Sequence, residues 1–211
     1  MNILRWLFYA LIIRPFILIV LGLNVRRPEN LPKDGPAIIV ANHNSHLDTM
    51  VLMTLFKGWD IHKVRPIAAA DYFLKNKLFA WFSLNVIHII PLDRKAGVKE
   101  NLFDGIYEAL DQNDIVILFP EGSRGEPEKI TRFKSGIYYL LRERPDVPVY
   151  PVFMHGLGKA LPKGAKLFVP FFCDVFIGNG FYYKADKKQF MNTLENRMTE
   201  LADEGDFPPW E

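Results

Sequence analysis

The sequence has a single cysteine, Cys173, so no internal disulfide can form. A lone thiol fits a reducing compartment. No cysteine–histidine cluster offers a zinc site, and no metal is expected. Repeats and low-complexity tracts are missing. Charge of one sign is also missing as a bulk feature: 26 Lys and Arg against 24 Asp and Glu leave +2, so the total gives no reason to expect a nucleic-acid partner. Acidic residues are absent from the first 28 positions. Glu29 is the first, and Arg5, Arg14, Arg26 and Arg27 all precede it.

What is present fits one folded domain. The chain has 211 residues, 49% of them hydrophobic, with 17 Phe. That length and composition allow a sizeable core and one appended element.

The N-terminus, "MNILRWLFYALIIRPFILIVLGL", is apolar except at Asn2, Arg5 and Arg14. A spanning helix needs about 20 apolar residues with few charges. Here Arg14 and Pro15 fall in the middle, where an arginine costs roughly 2.5–3.5 kcal/mol on insertion scales. Proline also invites a break. The reading is therefore two short helices, about residues 4–13 and 15–23, dipping into one leaflet. Their arginines are expected at headgroup level, drawn to anionic lipid. A cleaved signal peptide and a buried core helix are the competing readings. Against the first, "NVRRPEN" lacks a small-residue cleavage site.

From residue 36 onward, short apolar runs alternate with helix-like segments. "PAIIVA" (36–41), "RPIAAA" (65–70), "VIHIIP" (86–91), "DIVILFP" (114–120) and "VPVYPVF" (147–153) read as strands. The prolines of the last suggest its ends or a sheet edge. "AKLFVP" and "CDVFIG" are weaker strands. Helices are expected over 48–56, 71–82, 97–112, 133–143 and 184–203. This alternation predicts an α/β fold: a largely parallel central sheet flanked by helices, with an N-terminal apolar helical membrane-associating element. The domain division expected is 1–28 for the membrane-interface helices and 29–211 for the α/β domain.

Loops after parallel strands carry the sites of such sheets. "NHNSHLD" (42–48) follows the first strand. His43 and Asp48 are five apart, about 140° on a regular helix, so they meet only if His43 sits in the loop and Asp48 opens the helix. The carboxylate then fixes one imidazole nitrogen and leaves the other as a general base. Taken alone, the pair fits an Asp cap beside a surface histidine better. His46 is a rival base with less favourable spacing.

"FPEGSRG" (119–125) follows the clearest strand. Gly122 and Gly125 let the backbone turn close to a ligand. Arg124 offers a forked donor for phosphate. Glu121 can orient groups or bond a substrate hydroxyl. Ser123 lacks the nucleophile-elbow pattern G-x-S-x-G, because Glu121 replaces the first glycine. "IPLDR" (90–94) supplies Arg94 as a second phosphate donor, and "RFKSG" supplies Lys134 as a further cation. His155 in "FMHG" reads as structural. Together these loops point to a phosphate-bearing substrate beside a general base, and the apolar N-terminus points to a lipid.

These residues resemble the glycerolipid acyltransferases of the 1-acylglycerol-3-phosphate acyltransferase type. "NHNSHLD" is similar to their NHxxxxD motif, "IPLDR" to the second motif, "FPEGSRG" to the third and "VPVYPVF" to the proline-bearing fourth, in the family's order. The resemblance implies transfer of an acyl group from a thioester to a lysophospholipid hydroxyl, most simply 1-acylglycerol-3-phosphate. It implies His43 as base and Asp48 as its partner. It also implies Arg94, Glu121, Gly122, Ser123, Arg124 and Lys134 as acceptor-binding residues. The implied partners are the bilayer, a lysophospholipid and an acyl thioester. Acyl-CoA or acyl-ACP serves as co-substrate, with no cofactor. The expected location is the cytoplasmic face of the inner or plasma membrane, as a monotopic protein. Two positions depart from the family: Asn44 stands where glutamine is frequent, and His46 where an aromatic is. Hydrolysis by water at the same base, acylation of a different lysolipid, and a lipid-binding scaffold with a dead site are the alternatives.

Overall fold

The computed structural model describes residues 3–45, 47–93, 102–126, 129–160, 169 and 171–207. Seven strands form one sheet: β1 (Leu23–Arg26), β2 (Ala37–Ala41), β3 (Val64–Ala69), β4 (Ile90–Leu92), β5 (Ile115–Leu118), β6 (Val149–His155) and β7 (Cys173–Ile177). Their order is β1-β7-β6-β2-β5-β3-β4. Strands β2 to β6 run parallel, and β7 and β1 run the other way at one edge. The C-terminal ends of the five parallel strands therefore share one side of the sheet. This is the α/β fold with a mostly parallel sheet that the alternating pattern predicts.

Strand β2, "AIIVA", is buried along its whole length because both faces of the sheet are covered. Ala37, Ile39 and Ala41 pack with Tyr9, Ile17, Leu21 and the helix Asp48–Thr54. Ile38 and Val40 pack on the other face against the helices Asp104–Asp111, Gly136–Arg142 and Lys187–Asp203. The last helix is started by Asp186, whose Oδ1 accepts from Gln189 N at 2.7 Å. Its buried residues Phe190, Leu194, Met198 and Leu201 recur at helical spacing.

The N-terminal segment departs from expectation. It is one helix, Ile3–Val20, rather than two. Pro15 is tolerated because the preceding turns, Phe8–Ile13, widen to a π-helical pitch; the Arg14 N–H bonds Tyr9 O, five residues back. Arg5 is not at headgroup level. It is 1% exposed, and its guanidinium donates to Val64 O at 2.5 Å, His62 O at 3.3 Å and His88 Nδ1 at 2.9 Å. The folded domain offers fixed acceptors at the start of β3, and these replace water and lipid headgroups. Tyr9 and Ile17 bury the same stripe of the helix, while Leu4, Leu11 and Ile19 remain exposed.

Two residues after this helix, Leu23 enters the sheet, so the boundary expected at residue 28 falls beyond β1. Leu23 pairs with Cys173, and the neighbouring Asp174 pairs with His155 at the C-terminal end of β6. The helix thus starts beside the opening of β3 and finishes on the opposite side, where β2, β5 and β6 end.

Three further segments differ from the sequence reading. Val86 and Ile87, expected to open the strand 86–91, instead complete a helix over Lys77–Ile87 and are buried from a helical wall rather than a pleated one; β4 starts at Ile90. The 71–82 helix is interrupted after Ala70–Phe73, and Asn76 caps the next one by accepting from Leu78 N at 2.9 Å. Strand β6 lies inside the sheet, not at its edge. Pro151 is accommodated between the Val149–Phe181 bridge and the β7 ladder, where its carbonyl accepts from Gly178 N at 2.8 Å. Most of "AKLFVP" lies outside the described residues.

Candidate active site

The loop after β2 is built by its asparagines. Asn42 Nδ2 donates to Met154 O and Asn42 Oδ1 accepts from Met154 N, both at 2.8 Å, which ties the loop to β6. Asn42 Nδ2 also donates to Asn44 Oδ1 at 2.8 Å. Asn44 Nδ2 in turn donates to the carbonyls of Glu126 and Lys129, at 2.6 and 3.1 Å. Both asparagines are buried, and each side chain replaces backbone pairing that a turn cannot supply. Their motif positions are visible in the sequence; this scaffolding role is not.

Between them sits His43. Its Nδ1 lies 2.8 Å from Asp48 Oδ2. Asp48 opens its helix, is 1% exposed, and accepts through the same oxygen from the N–H groups of Asn44 at 2.7 Å and Ser45 at 2.9 Å. An ionised carboxylate only accepts, so Nδ1 is the protonated nitrogen when the ring is neutral, and Nε2 carries the free lone pair. No hydrogen bond engages Nε2 among the described residues. The ring stacks on Phe119, with centroids 4.2 Å apart and planes 21° from parallel. Phe119 ends the β5 run just before Pro120. Its platform role was missed in the sequence, although an aromatic at that strand end was there to be seen.

The second loop locks onto the first. Glu121 Oε1 accepts from the His43 N–H at 2.8 Å, and Gly125 N donates to His43 O at 2.9 Å. Glu121 Oε2 accepts from Thr131 Oγ1 and, at 3.4 Å, from Thr131 N. Burial pushes the Glu121 carboxyl upward, and the bonds from Thr131 and His43 oppose that shift. Both Glu121 oxygens are therefore engaged within the protein. Thr131, which the sequence reading passed over, completes this brace.

Gly122 adopts φ +74°, and a Cβ there would come within 2.6 Å of Lys134 Nζ. The ammonium of Lys134 thus lies over the glycine turn, as a cation beside the loop requires. Its own N–H anchors to Pro120 O at 2.8 Å. Ser123 is exposed on the turn, and Arg124 is half-buried beside it. Arg94 and His46 lie outside the described residues. His155 is buried with its ring 3.6 Å from that of Phe207, in keeping with a structural role. Among the described residues no three His, Cys, Asp or Glu side chains form a metal-binding group. A separate cavity of about 600 Å³, lined by Arg5, Trp59, His62, Lys63 and His88, lies where β3 begins, away from His43.

A base with one nitrogen held by a buried carboxylate, and with a cation nearby, can take a proton from an alcohol or water next to an anionic group. Known proteins are similar to the chain in sequence and in fold. Residues 22–155 match the Acyltransferase family profile. The chain is 29% identical over 146 residues to the chloroplastic 1-acyl-sn-glycerol-3-phosphate acyltransferase of Arabidopsis thaliana, covering 68% of this chain and 39% of that protein. It is 27% identical over 155 residues to the alpha form of that enzyme from Homo sapiens, covering 72% and 52%. It is also 28% identical over 141 residues to the N-acylphosphatidylethanolamine synthase of Arabidopsis thaliana, covering 64% and 49%. The chain spans about half, or less, of the length of these relatives. The crystal structure of the 1-acyl-sn-glycerophosphate acyltransferase from Thermotoga maritima shares the fold, with a TM-score of 0.78 at 22% identity over all of this chain and 81% of that one. The profile takes in β1 to β6 with both loops of the site, and the chain belongs to the Acyltransferase family.

Proposed function

We propose that the protein transfers a fatty acyl group from an acyl thioester to the free hydroxyl of a lysophospholipid, with 1-acylglycerol-3-phosphate as the first acceptor to test. The observation that carries this reading is the 2.8 Å contact between His43 Nδ1 and Asp48 Oδ2, which leaves Nε2 uncommitted. The relatives named for that acceptor support it.

In this mechanism His43 Nε2 removes the hydroxyl proton as the acceptor oxygen attacks the thioester carbonyl. The tetrahedral intermediate collapses with cleavage of the C–S bond. The proton held on Nε2 passes to the departing thiolate, so His43 ends as it began. Asp48 stabilises the transient imidazolium without moving. Lys134 and Arg124, with Arg94 beyond the described residues, are the cations for an acceptor phosphate. The Gly122 N–H is taken by Phe119 O at 3.1 Å, so that amide is not the oxyanion donor.

The site is proposed to work at a membrane surface on the cytoplasmic side, with the exposed stripe of the Ile3–Val20 helix set into one leaflet. By length and composition this helix is long enough to cross a bilayer. Its buried Arg5, Tyr9 and Ile17 hold it flat against the domain and favour lying in the interface.

The test is turnover by the purified protein with acyl-CoA or acyl-ACP, with and without a panel of lysophospholipids, the products read by mass spectrometry. Phosphatidic acid formed only with 1-acylglycerol-3-phosphate is the expected outcome. Free fatty acid released at one rate with or without any acceptor overturns the proposal in favour of hydrolysis.

A further inference from the structure

We infer that the helix Lys77–Ile87 is a second membrane-inserting element, which forms one continuous bilayer-facing surface with the N-terminal helix. This rests on the membrane reading above and extends it to a segment that no motif marks.

The sequence provides the first observation. Residues 72–92 contain no Asp or Glu, and the same holds for residues 3–28. In a chain with 24 acidic residues, these are two long acid-free stretches. The fold brings them together: Phe8 of the N-terminal helix meets Phe82 edge to face, with centroids 5.2 Å apart.

The second observation is exposure. Leu78 is 76% exposed and Trp81 50%, and Leu84 is exposed on the same helix. Water-facing helices of globular domains carry charge on that side; this one carries apolar and aromatic side chains instead. An exposed patch of this kind marks an interaction surface.

Charge identifies the occupant. Lys75 and Lys77 are exposed at the helix start, just after the C-terminal end of β3, on the His43 side of the sheet. Apolar side chains with lysines at one end and no acidic neighbour along the stretch complement an anionic bilayer: tails for the leucines, the interface for tryptophan, phosphates for the ammonium groups.

The test uses the full chain and its single native cysteine, which is buried. Leu78→Cys and, separately, Ile19→Cys at an 81% exposed site on the first helix carry an environment-sensitive fluorophore. Both dyes are expected to brighten at least about threefold with phosphatidylglycerol–phosphatidylethanolamine vesicles, and less with phosphatidylcholine. The Leu78→Ser/Trp81→Ser double variant is expected to weaken vesicle partitioning at least about tenfold, with an unchanged unfolding midpoint because both side chains are exposed. A response at position 19 but none at 78 overturns this inference and leaves the membrane reading standing. No response at either position overturns both. A position-78 response that needs only higher protein concentration, with dimers in light scattering, assigns the surface to a second copy and overturns the inference.

Discussion

Asp48 Oδ2 sits 2.8 Å from His43 Nδ1 and takes two backbone N–H groups through the same oxygen. One atom therefore orients the imidazole and closes the loop that carries it. The two roles separate by substitution. His43→Ala removes a partly exposed ring and is expected to cost no more than about 1 kcal/mol of stability while lowering turnover at least about 10²-fold. Asp48→Ala is expected to match that loss of turnover and to cost about 2 kcal/mol or more in chemical denaturation, because two buried N–H groups lose their acceptor. Near wild-type acyl transfer by His43→Ala removes His43 from the mechanism.

Glu121 grips the His43 N–H with one oxygen and Thr131 with the other. Glu121→Gln places an amide N–H₂ against one of these donors. The expected result is a fall in kcat of at least about tenfold with little change in the KM for the acceptor. A rise confined to the acceptor KM shows instead that Glu121 contacts substrate.

Gly122→Ala forces a Cβ into the left-handed region at a cost of about 1 kcal/mol and drives Lys134 from its place over the turn. Lys134→Met removes the ammonium without that strain. Both are expected to raise the KM for a phosphate-bearing acceptor several-fold more than the KM for the acyl donor. Arg124→Ala is expected to act in the same direction. Equal effects on both substrates argue against phosphate contact.

The imidazole of His88 is pulled down to about 4, first by burial and then by the Arg5 guanidinium, which donates to its Nδ1. The ordinary value is 6.5, so as pH falls the unfolded chain gains its proton first. This contribution to stability is complete above about pH 6.5 and fades towards about pH 4, a loss of about 1–2 kcal/mol after allowance for partial exposure. His62, also lowered, adds in the same direction. Unfolding midpoints taken between pH 7 and 4.5 are expected to fall more steeply for the native chain than for His88→Asn. Parallel slopes remove His88 from the effect.

Sequence and structure agree where a local pattern settles the matter. The β2 and β5 runs are apolar end to end because helices cover both faces, and the His43–Asp48 spacing works once a loop and a helix start share it. Disagreement arises where distant acceptors decide. Nothing near Arg5 in the sequence announces Val64 O or His88. "LNVR" resembles the tail of an apolar helix until β7 provides a ladder. Pro151 argues for an edge until the break between β7 and Phe181 is seen. The asparagines and Thr131 make their bonds through side chains to remote backbone, which leaves no periodic trace.

The joint between the Ile3–Val20 helix and β1 is only Leu21 and Gly22, and Gly22 turns at φ +56° with its Cα side closed by the Phe172 ring. So short a hinge leaves no slack. On the proposed membrane reading, whatever depth the helix takes in a leaflet is handed on to the His43 imidazole, and a lipid in the plane would meet it at a set height. Because buried Arg5, Tyr9 and Ile17 clamp the same helix to the domain, splicing a few flexible residues into that joint should let the reaction centre bob above its substrates only if that clamp is broken as well.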